Sequence, residues 1–280
     1  MGAGYRRRVR TLYVIGIGAG DPEHLTLAAV GAMNRVDVFF TIDKGADKSD
    51  LAGLRAELLA RHVTREHRVV VAADPPRDRR AADGAYAGAV VDWQDRREEL
   101  YAAMIDRELS DGGTGGFLVW GDPALYDGTL RILDRIAARR PGGFEIVSVP
   151  GISSVQVLAA RHRLILNRVG SPVLVTTGRR LAAGGMPAGL DDVVVMLDAD
   201  GAFAALPDTD LDIFWGAYLG TPDELLVHGD LQEVKGRIRA LWAEHRARKG
   251  WIMDTYLLRR RHPDRRAHPR AVPGAPDGLG

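Results

Sequence analysis

The sequence contains no cysteine, which removes disulfide bonds, thiolate metal sites and nucleophilic cysteine chemistry from consideration. It also has no apolar stretch near the ~18 residues that a membrane-spanning helix requires. The net charge is only +1, so the chain as a whole gives no electrostatic reason to expect nucleic-acid binding. What is present is a chain of 280 residues that is 46% hydrophobic, which is enough for the cores of two ordinary domains.

The first residues carry a basic run, RRRVR, followed by the apolar segment LYVIGIGAG. This order superficially matches a secretory signal peptide, but the apolar run is short, is interrupted by glycine and continues into a structured motif. We therefore expect a cytoplasmic protein that does not associate with a membrane.

Apolar runs of strand length alternate with helical patterns along residues 11–149, which predicts an α/β domain with a mostly parallel sheet. Residues 150–258 predict a second, smaller α/β domain with a mixed sheet, and a cleft is expected between the two. Residues 259–280 are rich in arginine and proline and almost free of apolar side chains. We expect that segment to be a disordered, solvated tail rather than a nucleic-acid contact.

Three local predictions concern the middle of the first domain. The polar segment Ala73–Ala87 predicts a mobile loop, and the charged pattern Asp92–Leu109 predicts a long amphipathic helix. The glycines at positions 112, 113, 115 and 116 are expected to end that helix, before a strand over Phe117–Trp120.

Three glycine-rich loops, each at the end of an apolar strand, are the most informative feature of the chain. Their sequences are YVIGIGAGDPEHLT at residues 13–26, FLVWGDPALYDGT at residues 117–129 and IVSVPGISS at residues 146–154. Ligands of open α/β sheets bind where such loops meet at the carboxyl ends of the strands. The three loops therefore predict one composite site.

The first loop permits two interpretations. Gly16, Gly18 and Gly20 follow a strand, and Asp43 ends the next strand, where a ribose-binding acid would lie in a dinucleotide-binding protein. The G-x-G-x-x-G pattern needs its third glycine one position later, inside the helix. An NAD-binding Rossmann enzyme remains an alternative, as does a turn that binds nothing.

The second and third loops also have local explanations. Asp122 can cap a helix with Pro123 at its first position, and Ser153 or Ser154 can cap the helix after the third loop, which can equally be an interdomain hinge. Gly121 allows a ligand to approach the backbone, and Tyr126 lies close enough along the loop to reach the same space.

Taken together, GIGAGDPEHLT, WGDPALYDGT and VPGISS resemble the tetrapyrrole (corrin/porphyrin) methylase family. That resemblance implies S-adenosylmethionine bound in the cleft between two α/β domains, with S-adenosylhomocysteine as its product. By position, the resemblance assigns cofactor-binding roles to Pro22, Trp120, Gly121, Asp122, Leu125, Ser153, Ser154, Met196 and Gly220.

Segments such as RVDVFFTIDKG and GWIMDTYLLRR resemble one branch of that family in particular. Members of the branch methylate a ring carbon of a cobalt-free corrin precursor and release an acetyl group as acetate during aerobic cobalamin synthesis. A methylase acting at another ring carbon, and a binding protein without turnover, remain alternatives. The resemblance further implies a homodimer with a small tetrapyrrole substrate and no metal site.

Loss of an acetyl group requires a general base and a donor to the developing oxyanion. Asp122, Tyr126 and Asp127 are the candidate catalytic residues, whereas His162 is better interpreted as structural. A tetrapyrrole carries many carboxylates, so basic side chains are expected around the cleft. The candidates are Arg161, Arg163, Arg168, Arg179 and Arg180.

Overall fold

The computed structural model describes residues 9–43, 49–76 and 83–261. The chain divides into two compact units, residues 1–153 and 154–280. Each unit contains its own five-stranded sheet. Of the predicted tail, Arg259 and Arg260 belong to the last strand, and residues 262–280 lie outside the described ranges.

The sheet of the first unit has the strand order β3-β2-β4-β1-β5, and every neighbouring pair is parallel. Its strands are β1 (Arg10–Gly16), β2 (Val38–Asp43), β3 (Arg68–Ala73), β4 (Thr114–Val119) and β5 (Phe144–Val149). The helices between them are α1 (Leu27–Met33), α2 (Ser49–His62), α3 (Asp83–Glu108) and α4 (Thr129–Arg139). This is the predicted alternation of strand and helix.

Strand β1 lies inside this sheet and sends successive side chains to opposite faces, as a strand must. Leu12 and Val14 belong to one buried cluster, which is completed by α3 and α4. Tyr13 and Ile15 face the other cluster, which is completed by α1 and α2. Because both faces are covered, the strand is apolar from Leu12 to Ile15, as is usual for a parallel sheet.

Two local predictions in this unit are wrong. Gly115 and Gly116 do not end the preceding helix but lie within β4. A Cβ atom on Gly115 would lie 2.7 Å from both Leu12 Cδ2 and Phe40 Cε2, so the packed neighbours require glycine at this strand position. Helix α3 begins at Asp83 instead of Asp92, although the segment before Asp92 contains Gly84 and Gly88, which disfavour a helix. Of the predicted loop Ala73–Ala87, residues 77–82 lie outside the described ranges.

The second unit has the strand order β6-β7-β10-β8-β9, with β6 and β7 parallel and the other pairs antiparallel. Tyr256 and Trp215 are fully buried in its core. Its strands are β6 (Val173–Thr177), β7 (Asp192–Met196), β8 (Leu211–Ala217), β9 (Leu225–Asp230) and β10 (Asp254–Arg260), and its helices are α5 (Ser154–His162), α6 (Gly178–Gly184) and α7 (Leu231–Lys249).

The predicted fold class is confirmed: a parallel α/β unit is followed by a second α/β unit whose sheet is mixed. Strand β9 and helix α6 are additions that the sequence patterns did not indicate. Within the described ranges, the helices are all too short or too polar to cross a membrane.

Candidate active site

The loops that follow β1, β4 and β5 meet at one edge of the first sheet, because these three strands are neighbours and parallel. Their backbones are in direct contact. A Cβ atom on Gly16 would lie 2.6 Å from Gly151 N and 2.8 Å from Gly121 O. A side chain at Gly16 or Gly151 would therefore separate the loops, which explains the glycines at these positions.

The first two loops also pair through a short antiparallel bridge between Gly18 and Gly121. Gly121 N donates to Gly18 O at 2.8 Å, and Gly18 N donates to Gly121 O at 3.3 Å. Both glycines have left-handed backbones, with φ of 83° and 69°, a conformation that L-residues adopt at a cost. The predicted convergence of the glycine-rich loops is thus a feature of the first unit.

Asp122 joins the second loop to the third. Its Oδ2 accepts a hydrogen bond from Gly151 N at 2.9 Å, and its Oδ1 accepts one from Ala124 N at 2.8 Å. The predicted helix cap at Asp122 is wrong, because α4 begins only at Thr129 and the carboxylate instead closes a turn. Two backbone donors fix its orientation.

Tyr126 and Asp127 line one cavity of about 320 Å³ between α3, α4 and the second loop. Tyr126 has a left-handed φ of 54° and is 47% exposed, and partial burial raises the pKa of its phenol. Asp127 Oδ1 accepts a hydrogen bond from Thr129 N at 2.7 Å. The two candidate catalytic side chains are therefore neighbours in space as well as in sequence.

The other predicted cofactor residues of this unit lie in the same loops. Pro22 begins a short 3-10 helix after the first loop, and Ser153 is buried with its Cα 3.7 Å from the Cβ position of Gly121. Leu125 is partly buried in the turn that begins at Asp122. The indole Nε1 of Trp120 is buried without a hydrogen-bond partner in the described part of the chain.

These features fit a bound adenosyl ligand. A Cβ atom on Gly121 would meet no atom closer than Ser153 Cα at 3.7 Å, beside a left-handed backbone, so glycine keeps the main chain accessible to a ligand there. The buried N–H of Trp120 remains an unused donor, and such groups are normally satisfied in a complete site.

Ser154 and Met196 lie in the second unit, and each is next to Thr255. Ser154 Oγ and Thr255 Oγ1 are 2.8 Å apart, and Met196 is the register partner of Thr255 in the sheet. Gly220 has a φ of 79°, and its N–H donates to Glu224 Oε2 at 2.7 Å. Two of the three predicted residues of this unit are therefore close together at one edge of its sheet.

A residue that the sequence patterns did not indicate, Asp198, fixes the loop after Met196. Its Oδ2 accepts hydrogen bonds from Ala202 N at 2.7 Å and from the Tyr256 hydroxyl at 2.6 Å. Its Oδ1 accepts from Gly201 N at 3.0 Å. The intervening Leu197 is left-handed, with a φ of 54°. The sequence signal for Asp198 is only an aspartate after a strand, which is common in turns.

Asp254 is a second buried carboxyl group at this edge of the sheet. Its Oδ2 accepts a hydrogen bond from Trp215 Nε1 at 2.8 Å. Burial raises the pKa of Asp254 to about 7, with a further increase from the negative charge of Asp198. The carboxyl group therefore changes its charge near neutral pH.

His162 is held within the second unit. Its Nε2 lies 3.0 Å from Trp215 O, and burial lowers the pKa of the imidazole. Its ring also contacts the ring of Phe214 edge to face, with centroids 5.7 Å apart. These contacts support the structural interpretation of this histidine.

The arginines expected around a substrate differ in their contacts. Arg161 forms an ion pair with Glu224 at 2.9 Å, and Arg168 donates to Arg260 O at 2.6 Å. Arg179 and Arg180 lie in the first turn of α6, and Arg163 has a left-handed φ of 52°.

Within the described part of the chain, no cluster of three or more His, Asp or Glu side chains is arranged to hold a metal ion.

The strand order also argues against the NAD-binding alternative. A dinucleotide-binding sheet has the order 3-2-1-4-5-6, whereas here β4 lies between β2 and β1. The first glycine loop leads into a 3-10 helix instead of the α-helix whose N-terminus would hold a pyrophosphate.

Comparison with known proteins gives a consistent result. The family model described as Tetrapyrrole (Corrin/Porphyrin) Methylases matches residues 11–235. The chain is 48% identical over 253 residues to a precorrin-6A synthase [deacetylating] from Sinorhizobium sp, which covers 90% of this chain and 96% of that protein.

Two solved structures extend the comparison. A cobalamin synthesis related protein (CobF) from Corynebacterium diphtheriae superposes with a TM-score of 0.77 at 36% identity, covering 90% of this chain and 99% of that one. A uroporphyrin-III C-methyl transferase from Thermus thermophilus, complexed with S-adenyl homocysteine, gives a TM-score of 0.52 at 20% identity. It covers 89% of this chain and 91% of that one, and at this identity it supports the fold alone.

Proposed function

This chain belongs to the tetrapyrrole (corrin/porphyrin) methylase family, and we propose on that premise that it is an S-adenosylmethionine-dependent C-methyltransferase of aerobic cobalamin biosynthesis. Its substrate would be precorrin-5, a cobalt-free corrin precursor. The reaction methylates C-1 and releases acetate, giving precorrin-6A.

One observation carries this assignment. The similarity to the deacetylating precorrin-6A synthase extends over nearly the full length of both chains at 48% identity. The identical residues are therefore not confined to the glycine-rich loops, because the aligned region spans both units. The structural likeness to the CobF protein covers a similar share of the chain.

We propose that the glycine-rich loops of the first unit hold S-adenosylmethionine, which supplies a methyl group on a positively charged sulfur. The backbones at Gly18 and Gly121 are fixed by their mutual hydrogen bonds, so the binding loops need no rearrangement on binding. Such preorganisation lets binding energy hold the reacting carbon in line with the methyl group. Orientation of this kind contributes up to roughly 7–11 kcal/mol in ideal cases.

Removal of the acetyl group balances as a hydrolysis. Water adds to the acetyl carbonyl, the bond from that carbonyl carbon to the ring carbon breaks, and the acetyl group leaves as acetate. The electron pair of the broken bond stays on the ring carbon as an enamine-like nucleophile. That carbon then accepts the methyl group, so the net change is one methyl gained and one acetyl lost.

The geometry divides the roles of the three candidate catalytic residues. Both carboxylate oxygens of Asp122 accept backbone hydrogen bonds, so we assign it a positioning role. Asp127 has one oxygen bound to Thr129 N and lines the cavity, which suits the base that accepts a proton from water. The exposed Tyr126 hydroxyl, in the same cavity, suits the donor to the acetyl oxygen.

The decisive experiment is the mass of the product. The purified protein is incubated with enzymatically prepared precorrin-5 and methyl-labelled S-adenosylmethionine. We expect a macrocycle that has gained one labelled methyl group and lost one acetyl group, with one equivalent of acetate. Methyl gain without acetate release would instead indicate a methylase for another ring carbon, which a panel of precorrin intermediates would identify.

A thermal-shift comparison separates the remaining alternatives. We expect S-adenosylmethionine and S-adenosylhomocysteine to raise the unfolding temperature and NAD to leave it unchanged, because only a ligand of the native state stabilises it. Stabilisation by the adenosyl compounds without turnover on any precorrin would indicate a binding protein.

We further propose that the enzyme works as a homodimer in the cytoplasm, the compartment that supplies S-adenosylmethionine. The segment between α5 and β6 exposes Ile165 and Val169, which are 69% and 99% accessible. These two side chains are the candidates for contact with a second copy of the chain. Light scattering coupled to size exclusion would show a mass of twice 30.4 kDa, and a mass of 30.4 kDa would exclude the dimer.

A further inference from the structure

The cavity beside Tyr126 and Asp127 extends beyond the two candidate catalytic side chains. It lies between α3 and α4 and has a volume of about 320 Å³, at the lower end of the range for small-molecule sites. Aromatic and basic side chains form much of its wall: Trp93 and Arg97 from α3, and Arg131 and Arg135 from α4.

Two of these arginines are already neutralised by protein carboxylates. Arg97 Nε lies 3.0 Å from Asp74 Oδ1, and its guanidinium carbon lies 4.8 Å from the centre of the Trp93 ring. Arg135 forms ion pairs with Asp95 at 2.6 Å and with Glu98 at 2.8 Å. The ion pairs of Arg135 join α4 to α3, whereas Arg97 links α3 to the segment after β3.

Arg131 differs from both. It is exposed on α4 and makes no hydrogen bond or ion pair with any residue in the described part of the chain. Its side chain lies beside Gly128, since a Cβ atom on that glycine would be 3.6 Å from Arg131 Nη2. A planar guanidinium without a partner is suited to bidentate pairing with a carboxylate.

The aromatic wall is fixed in place. Trp93 Nε1 donates to Pro75 O at 3.0 Å, so its ring cannot turn without breaking this bond. A rigid apolar surface next to a free guanidinium matches the two parts of a carboxyalkyl group, which has an apolar stem and a charged end.

We propose that this cavity is a subsite for a carboxylate-bearing side arm of the tetrapyrrole and that Arg131 pairs with the carboxylate. The proposal rests on the proposed function, because it identifies which part of that substrate the cavity takes. Anchoring one arm next to Tyr126 and Asp127 would fix the position of the macrocycle relative to these residues.

The test measures binding of uroporphyrin III, a stable tetrapyrrole polycarboxylate, by fluorescence titration at low salt. Arg131→Gln is compared with Arg131→Lys and with Arg239→Gln, a control that removes another exposed arginine, on α7. We expect Arg131→Gln to weaken binding about 5-fold or more, since a carboxylate contact is lost. Arg131→Lys should lie between it and the wild type, and Arg239→Gln should match the wild type.

Binding of S-adenosylhomocysteine and the unfolding temperature should be the same in all variants, because Arg131 has no contact that supports the fold. If the wild type and Arg131→Gln bind porphyrin equally well, the subsite proposal is wrong, but the proposed methyl transfer is unaffected. Equal weakening by Arg131→Gln and Arg239→Gln also overturns it, since general charge would then explain the effect. A wild type that neither binds porphyrin nor methylates precorrin-5 overturns the proposed function as well.

Discussion

Asp122 Oδ2 accepts a hydrogen bond from the main-chain N–H of Gly151 at 2.9 Å, and this contact joins two loops that follow different strands. The same carboxylate accepts from Ala124 N within its own loop. This side chain thus adds to the direct backbone contact between the second and third glycine-rich loops.

Replacing Asp122 with asparagine should separate these loops. The amide group keeps one acceptor and presents a donor to one of the two N–H groups, which leaves that group unsatisfied at a cost of about 1–3 kcal/mol. We expect weaker binding of S-adenosylhomocysteine, by about 10-fold, measured by calorimetry. Asp134→Asn, at an exposed carboxylate on α4, is the matched control, and an equal loss there would contradict the role of Asp122.

Gly151→Ala should destabilise the first unit strongly. An added Cβ would contact Gly121 O at less than van der Waals distance and lie 2.7 Å from the carbonyl carbon of Gly16. Since the obstacle is backbone, we expect a loss of about 3 kcal/mol in the free energy of unfolding, measured by urea denaturation. Gly31→Ala provides the contrast, because a Cβ there meets nothing within 4 Å and alanine favours a helix by about 1 kcal/mol.

The buried carboxyl group of Asp254 predicts a pH dependence of stability. Its pKa is about 7 in the folded protein, well above the ordinary value of 3.8 for an aspartate. Between these two pH values the folded chain therefore binds more protons than the unfolded chain. The free energy of unfolding should therefore decrease as pH rises from about 4 to 7, by at most ~4 kcal/mol. Asp254→Asn removes this titration and keeps an acceptor for Trp215.

We expect the difference between the wild type and Asp254→Asn to appear as a flatter pH profile for the variant and a higher stability above pH 7. Urea denaturation at a series of pH values measures both. Parallel profiles for the two proteins would show that Asp254 does not titrate in this range.

Tyr256→Phe should loosen the loop that follows Met196. The variant removes the hydroxyl that donates to Asp198 Oδ2 at 2.6 Å in a buried site, and a hydrogen bond to a charged acceptor is worth about 1.5–3 kcal/mol. We expect a loss of that size in stability, together with weaker binding of S-adenosylhomocysteine. Tyr13→Phe, at a partly buried tyrosine in β1, is the control and should change neither quantity. If Tyr256→Phe binds S-adenosylhomocysteine as well as the wild type does, Asp198 has no role in cofactor binding.

The sequence was sufficient for the elements whose apolar pattern is strong. Phe144–Val149 and Val173–Thr177 are strands because each is a short β-favouring run. It was insufficient where tertiary packing overrides local propensity. Positions 115 and 116 of β4 are glycine because Leu12, Phe40 and Val36 leave no room for side chains. These neighbours are distant in the sequence, so no local pattern indicates a strand there.

The candidate site shows the same division. The glycine-rich loops were predicted to meet, since parallel strands present their carboxyl ends at one edge. The two bonds of Asp122 and the cluster around Asp198 were not predicted, because each joins segments that only the folded chain brings together. Strand β9 was missed because Leu225, Leu226 and Val227 form too short an apolar run to distinguish a strand from a loop.

Tyr126, Leu197 and Tyr218 are three of the four non-glycine residues with left-handed backbones in the described ranges, and their φ angles lie between 50° and 54°. Each belongs to a loop that carries or adjoins a predicted binding residue, and each conformation costs about 1–2 kcal/mol. Selection for thermal robustness alone would be expected to place glycine at such positions. These positions hold bulky side chains instead. Substituting glycine there should therefore make the protein more heat-resistant and at the same time a poorer catalyst.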